Sequence, residues 1–200
     1  MVAADNIPFE LGTRRLRIRR AREDDAYALA RMMSGSISAR LASWPARMTP
    51  EMARERLSGD LADANRIAPM VMELREDGTV CGWMSVTRLP EHASCGILSY
   101  WLGEAHHGRG LMREAAPMAV QRLFETLDIE RLRAAVQADN LASIGVLRGA
   151  GMGYLGAGRI WCSARSREEP CLWFEIDRAV ALGETAAIGH SEAGAGVPER

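Results

Sequence analysis

The fold of this chain is decided by Tyr100-Trp101-Leu102-Gly103-Glu104-Ala105-His106-His107-Gly108-Arg109-Gly110-Leu111-Met112-Arg113-Glu114-Ala115-Ala116, together with a helix, a strand and then Asp139-Asn140-Leu141-Ala142-Ser143-Ile144-Gly145-Val146-Leu147-Arg148-Gly149-Ala150-Gly151. The first block reads as a strand entering a glycine-rich turn at the start of a helix. The free N–H groups of such a helix start can hold a phosphate. The second block puts Asn140 and Ser143 at the mouth of another helix after another strand. That layout can seat a long phosphorylated cofactor along a sheet.

Working outward, Leu16–Arg20 alternates apolar and basic residues like a half-buried strand. Ala26–Met33 is apolar at helical spacing behind Asp24 and Asp25 in capping positions, and Ser34-Gly35 ends it. Leu41-Ala42-Ser43-Trp44-Pro45 is a loop. Thr49-Pro50-Glu51 starts a helix reaching about Ala64: a capping hydroxyl, proline at the first position, an acid in the first turn. Pro69–Arg75 and Val80–Arg88 read as strands joined by the tight turn Glu76-Asp77-Gly78, with a third strand over Ser94–Leu102. The glycine-rich turn leads into a helix from Gly110 to Leu127, in which Pro117 removes one backbone hydrogen bond and should kink the axis. A strand over Arg131–Val136, a helix over Ala142–Ala150 and a closing strand pair, Tyr154–Trp161 and Cys171–Asp177, complete the order. The helix crossovers require a parallel element and the hairpins antiparallel ones, so the expected fold class is α/β with a mixed sheet.

Composition bounds the function. The 200 residues suit one domain, with residues 1–11 as an N-terminal extension, 12–180 as the domain and 181–200 as a disordered tail rich in Ala, Gly and polar residues. The formal net charge of −1 gives no sign of membrane or direct nucleic-acid binding. All 25 basic residues are Arg, most simply a coding bias. Without Lys there is no P-loop lysine, no Schiff-base lysine and no lysine base. Cys81, Cys95, Cys162 and Cys171 form no C-x-x-C pair, and buried free thiols in a reducing compartment are the default. The N-terminus shows no apolar signal segment and no apolar run is long enough to span a bilayer, so a cytoplasmic protein is expected.

Other features have bland readings. Gly151-Met152-Gly153-Tyr154-Leu155-Gly156 matches G-x-G-x-x-G, but a helix precedes it and a strand comes after, the reverse of a dinucleotide fingerprint. His106-His107 has no acidic or thiol partners at ligand spacing, so no metal site is expected. Met32, Met33, Met70 and Met72 suit the core or a groove lining, and Trp44 and Trp161 could line an acceptor cleft or simply pack. The arginines from Arg14 to Arg22 alternate with apolar residues, as on a solvated strand face.

With both blocks in order, residues 12–178 resemble the GNAT superfamily of acetyl-CoA-dependent N-acetyltransferases, and within it the subfamily that acetylates N-termini of ribosomal proteins. At the place of the Q/R-x-x-G-x-G/A signature the chain reads His107-Gly108-Arg109-Gly110-Leu111-Met112; Gly110-Leu111-Met112, Glu114-Ala115, Asn140-x-x-Ser143, the later Gly151 and the Trp44-Pro45 loop are similar to the subfamily's pattern. The resemblance implies a mixed, mostly antiparallel twisted sheet flanked by helices, with acetyl-CoA as cosubstrate. It implies that backbone groups of Tyr100, Trp101 and Leu102 pair with the pantetheine arm, that amides of His107, Gly108, Arg109, Gly110, Leu111 and Met112 bind the pyrophosphate, and that Asn140 hydrogen-bonds the pantetheine. Ser143 would sit near the sulfur and protonate the leaving thiolate. The chain departs from the pattern at three places. Ile97 stands in place of a carboxylate on the strand before the loop, Leu147 in place of a tyrosine, and Met152 in place of a phenylalanine.

On this resemblance an amine attacks the thioester, with an N–H near Leu102 stabilising the oxyanion. An α-amine of pKa about 8 is roughly one-tenth neutral at pH 7, whereas a lysine at about 10.4 is neutral less than about once in a thousand. A site without a strong base therefore suits an α-amine, with a water relay or Glu104, His106 or His107 as alternative bases. A protein or peptide N-terminus is the first choice of acceptor. A small amine (an antibiotic or metabolite) and a non-catalytic acyl-CoA-binding module are the alternatives, the protein being a monomer or a homodimer.

Overall fold

The computed structural model describes residues 9–89 and 92–184. The chain runs β1 (Glu10–Gly12), β2 (Leu16–Arg20), α1 (Ala26–Met32), α2 (Gly35–Ser38), α3 (Pro50–Ala62), β3 (Ile67–Leu74), β4 (Val80–Leu89), β5 (His92–Leu102), α4 (Leu111–Thr126), β6 (Arg131–Val136), α5 (Leu141–Gly149), β7 (Gly153–Cys162), β8 (Arg167–Asp177) and α6 (Arg178–Ala181). One eight-stranded sheet has the order β1-β2-β3-β4-β5-β6-β8-β7. Neighbours are antiparallel except β5 and β6, which are parallel. The mixed, mostly antiparallel α/β class expected from the sequence is the one observed.

Strand alternation sorts the core into two layers. On one face Met70, Met72, Met84, Val86, Leu98 and Leu102 pack with α4 and α5. Helix α4 supplies Leu111, Ala115, Ala119, Val120, Leu123 and Phe124, a three-and-four spacing that makes one apolar stripe. Each of its fully buried large side chains contributes roughly 1.5–3 kcal/mol. On the other face Val71, Trp83 and Trp101 pack with α1, α3 and Trp44. Trp44 meets Trp83 and Trp101 edge-on at centroid distances of 5.3 and 5.2 Å. Trp44 is therefore a packing residue, 1% exposed, while Trp161 stands 59% exposed on strand β7. Met33, Met70 and Met72 are buried and Met32 packs against the tryptophan layer.

Several boundaries differ from the sequence expectation, β8 among them, which begins at Arg167 rather than Cys171. Glu10–Gly12 pairs with Arg17–Arg19 as β1, and Phe9 is buried, so the sheet begins inside the expected extension. A three-residue strand is too short to show alternation. Ala181 and Leu182 pack against the core; the tail from 185 onward lies outside the described residues. Ser34, expected to end α1, also caps α2, its hydroxyl accepting from the Ile37 N–H at 3.2 Å. Helix α4 runs without a break through Pro117, which lies on its exposed side.

Candidate active site

The central feature is a wedge in the sheet. Strands β5 and β6 pair at three positions only, Cys95–Ile97 against Arg131–Arg133, and their ladder ends there although both strands run on. The opening is part of a cavity of about 790 Å³ bordered by β5, β6, the start of α4 and the first turn of α5. Alternation decides which backbone groups face it. The Gly103 N–H donates to Cys81 on β4, and the Ser94 carbonyl accepts from Glu130 at the foot of β6. Even-numbered residues of β5 thus turn their main chain toward β6, and odd-numbered ones toward β4. Tyr100 and Leu102 direct their N–H groups to the open side. Trp101, expected to do the same, instead uses its main chain in the β4 ladder opposite Trp83.

Above the wedge lies the glycine-rich turn. Gly108 and Gly110 both have φ of +71°, a left-handed conformation that a Cβ strains. Gly110 is the N-cap of α4 and brings no side-chain cap, so the first amides of that helix are left to another acceptor. Arg109 and the exposed edge of the turn face solvent, while the Leu111 and Met112 side chains are buried in the core and anchor the helix start.

The turn is held from behind by residues to which the sequence assigned no role. Glu114 accepts from the Thr13 hydroxyl at 2.6 Å, the Arg15 N–H at 2.8 Å and the Arg15 Nε at 2.7 Å. Burial pushes the Glu114 carboxyl up, but the bonds from Thr13 and Arg15 outweigh it and hold the pKa down at about 2. Arg15 also donates to the Arg109 carbonyl at 2.8 Å. The His107 Nε2 lies 2.9 Å from the Leu102 carbonyl and donates to it, tying the turn to the end of β5. The bonds of Thr13 and Arg15 join residues 101 and 94 positions apart in the chain, beyond the reach of any local pattern; a signal near them was the Glu114-Ala115 pair after the glycine turn.

Asn140 is the N-cap of α5: its Oδ1 accepts from the Ser143 N–H at 3.2 Å. Its amide NH₂ remains for a ligand, and both residues border the cavity. The Ser143 hydroxyl lies 2.8 Å from the phenol of Tyr100, which crosses the wedge from β5. Leu147 is buried in the core, so no polar group replaces the missing tyrosine on α5.

On the tryptophan side, the cavity floor carries Ser85 and Thr87 of β4 opposite Ser99 and Ile97 of β5. Ile37, Arg40 and Leu41 overhang it. Arg40 donates to Gln137 and Asp139, Gln137 donates back to the Ala39 carbonyl at 2.8 Å, and the Ala164 N–H donates to the Ala42 carbonyl at 3.0 Å. No carboxylate borders this cavity among the described residues; its basic side chains are Arg40, Arg56, Arg113, His106 and His107. Glu104 does not border it and is held ionised by the hydroxyls of Ser34 and Ser36. His106 does border it, with its pKa lowered by burial and then by Arg109. Among the described residues no cluster of potential metal ligands occurs, and no helix is long and apolar enough to cross a membrane.

A splayed parallel pair lies beneath an uncapped glycine turn, and the chain belongs to the GNAT acetyltransferase family: residues 15–153 match the family model described as Acetyltransferase (GNAT) domain. It is similar to "Probable N-acetyltransferase YjcK" of Bacillus subtilis (strain 168), 33% identical over 84 residues; the match covers 42% of this chain and 46% of that protein, so it spans less than half the relative's length. Among solved structures, Mycobacterium smegmatis RimJ in complex with CoA-disulfide superposes with a TM-score of 0.74 at 23% identity, covering 88% of this chain and 95% of that one. The ribosomal-protein-S5-alanine acetyltransferase of Vibrio fischeri superposes with a TM-score of 0.67 at 23% identity, covering 86% and 97%. At these identities the likeness is one of fold.

Proposed function

We propose that the protein transfers the acetyl group of acetyl-CoA to a primary amine, and that its acceptor is a protein or peptide N-terminal α-amine. The observation carrying this reading is the wedge itself, whose donors match the cosubstrate in kind and order. Uncapped α4 amides at the Gly108–Met112 turn suit a pyrophosphate. The N–H groups of Tyr100 and Leu102 on the open edge suit an amide-bearing arm added like a strand. The Asn140 amide and the Ser143 hydroxyl come last, at the α5 end. The cavity is also of a size typical for such ligands.

Acetyl-CoA, when bound, supplies a thioester carbonyl open to attack. The Leu102 N–H is the donor that holds negative charge at the carbonyl oxygen, its own carbonyl being tied to His107 so that the strand end cannot swing. Asn140 and Ser143 face the arm from the opposite wall. The carboxylate-free floor does not attract a polycationic drug and supplies no strong base, so the acceptor must reach the site neutral in a useful fraction. An α-amine does so at pH 7 and a lysine does not. The structural neighbour named as a ribosomal-protein-S5-alanine acetyltransferase has a protein acceptor by its name, which agrees with this choice.

The test is acetyl-CoA-dependent thiol release against N-terminal peptides, lysine peptides with blocked N-termini, polyamines and aminoglycosides. Release with the N-terminal peptides is expected. Release confined to polyamines or aminoglycosides would replace the acceptor class, and binding of acetyl-CoA without release on any amine would favour an acyl-CoA-binding module.

A further inference from the structure

The Tyr100 phenol is a partly buried polar group that the acetyl-transfer steps leave unused. It reaches across the wedge from β5 to α5, its hydroxyl 2.8 Å from Ser143 Oγ and 3.3 Å from the Ser143 carbonyl oxygen. A serine in a first helical turn ordinarily bonds back to its own backbone. Here the cap is made by Asn140, and the phenol is the bonding partner of the Ser143 hydroxyl. Of the two hydroxyls the phenol is by far the more acidic and hence the better donor. The single phenol proton has two acceptors in reach, Ser143 Oγ at 2.8 Å and the Ser143 carbonyl at 3.3 Å; in the shorter contact the serine's own proton is free to point into the wedge, and the donated bond polarises it.

We propose that Tyr100 is a positioning residue for the departing sulfur: it orients the Ser143 hydroxyl so that the serine O–H donates to the thiolate. This rests on the acetyl-transfer reading. Burial pushes the phenol up to about 12, so it stays protonated through the working range. The pair therefore stabilises the thiolate by hydrogen bonding, with neither hydroxyl giving up its proton. The balance closes because the amine nitrogen loses one proton on acylation and the sulfur takes one up. A tyrosine on β5 thus does what α5, with Leu147 in the core, cannot.

The experiment is a pH titration of the thiol of bound CoA, followed by the ultraviolet absorbance of its thiolate. It is run on the wild type, Tyr100→Phe, Ser143→Ala and the double variant. Basic and titratable neighbours on the cavity wall (Arg40, Arg56, Arg113, His106 and His107) are the same in all four and cancel. The bound thiol should titrate about one pH unit higher in either single variant than in the wild type, the size of one hydrogen bond to a charged group. The double variant should go no further than Ser143→Ala. CoA affinity at low pH, where the thiol is neutral, should be alike in all four. Equal titration in wild type and Tyr100→Phe overturns the proposal, as does a Tyr100→Phe effect that persists in the Ser143→Ala background. Failure of the wild type to bind CoA overturns the acetyl-transfer reading itself, a distinguishable result.

Discussion

Glu114 shows how much of the site depends on single side chains remote from the ligand. It gathers Thr13 and both the main chain and guanidinium of Arg15, and Arg15 in turn holds the Arg109 carbonyl of the glycine turn. Because its carboxyl is depressed to about 2 from 4.5, its contribution to stability is fully present above about pH 4.5 and is lost as pH falls toward 2. Glu114→Gln should lower stability by about 1–3 kcal/mol at neutral pH. It should also flatten the pH dependence of denaturant unfolding between roughly pH 4.5 and 2, and weaken CoA binding in calorimetry through the loosened turn. Unchanged acid sensitivity would show that the clamp carries no ionic stabilisation.

At the scale of elements, two positions test how strands and helices meet. A Cβ on Gly82 of β4 would lie 2.6 Å from the Trp101 carbonyl and 2.7 Å from Leu102 Cδ2. Gly82→Ala must push β4 from β5 at the very residue whose N–H faces the wedge, so a loss of about 1–3 kcal/mol in urea unfolding is expected, together with a fall in turnover. Pro117 is the opposite case. It sits on the exposed side of α4, where it denies the Arg113 carbonyl its helical donor, and none of the interactions that build the site requires it. Pro117→Ala should raise stability by about 1–3 kcal/mol in thermal unfolding and leave acetyl-CoA affinity unchanged.

For the whole molecule the decisive property is a cavity without carboxylates among the described residues, continuous with a wedge that opens on both sheet faces. With no strong base at hand, the acceptor's own ionisation sets the rate. The profile of kcat/KM on an N-terminal peptide should rise with pH and level near about pH 8, where an α-amine becomes neutral. Peptides with less basic termini should level at correspondingly lower pH. A profile that levels at one pH below the α-amine range for every peptide, whatever its terminus, would instead reveal a protein base, and His106 on the cavity wall, its pKa lowered by burial, is the first candidate.

Local patterns were legible in the sequence because they depend on residues a few positions apart. The cap at Thr49 and the glycine-rich turn are of this kind, and with the two spaced blocks they determined the α/β class and the family. Other features were decided only by the tertiary structure. Glu114 meeting Thr13, Arg40 bridging to Asp139, the Tyr100 phenol on Ser143 and the choice of Tyr100 and Leu102 over Trp101 as open-side donors all depend on the register and splay of strands far apart in the chain. Residue types announce what a side chain can bond, but which partner it finds is set by packing the two faces of the sheet, and that is a property of the whole chain.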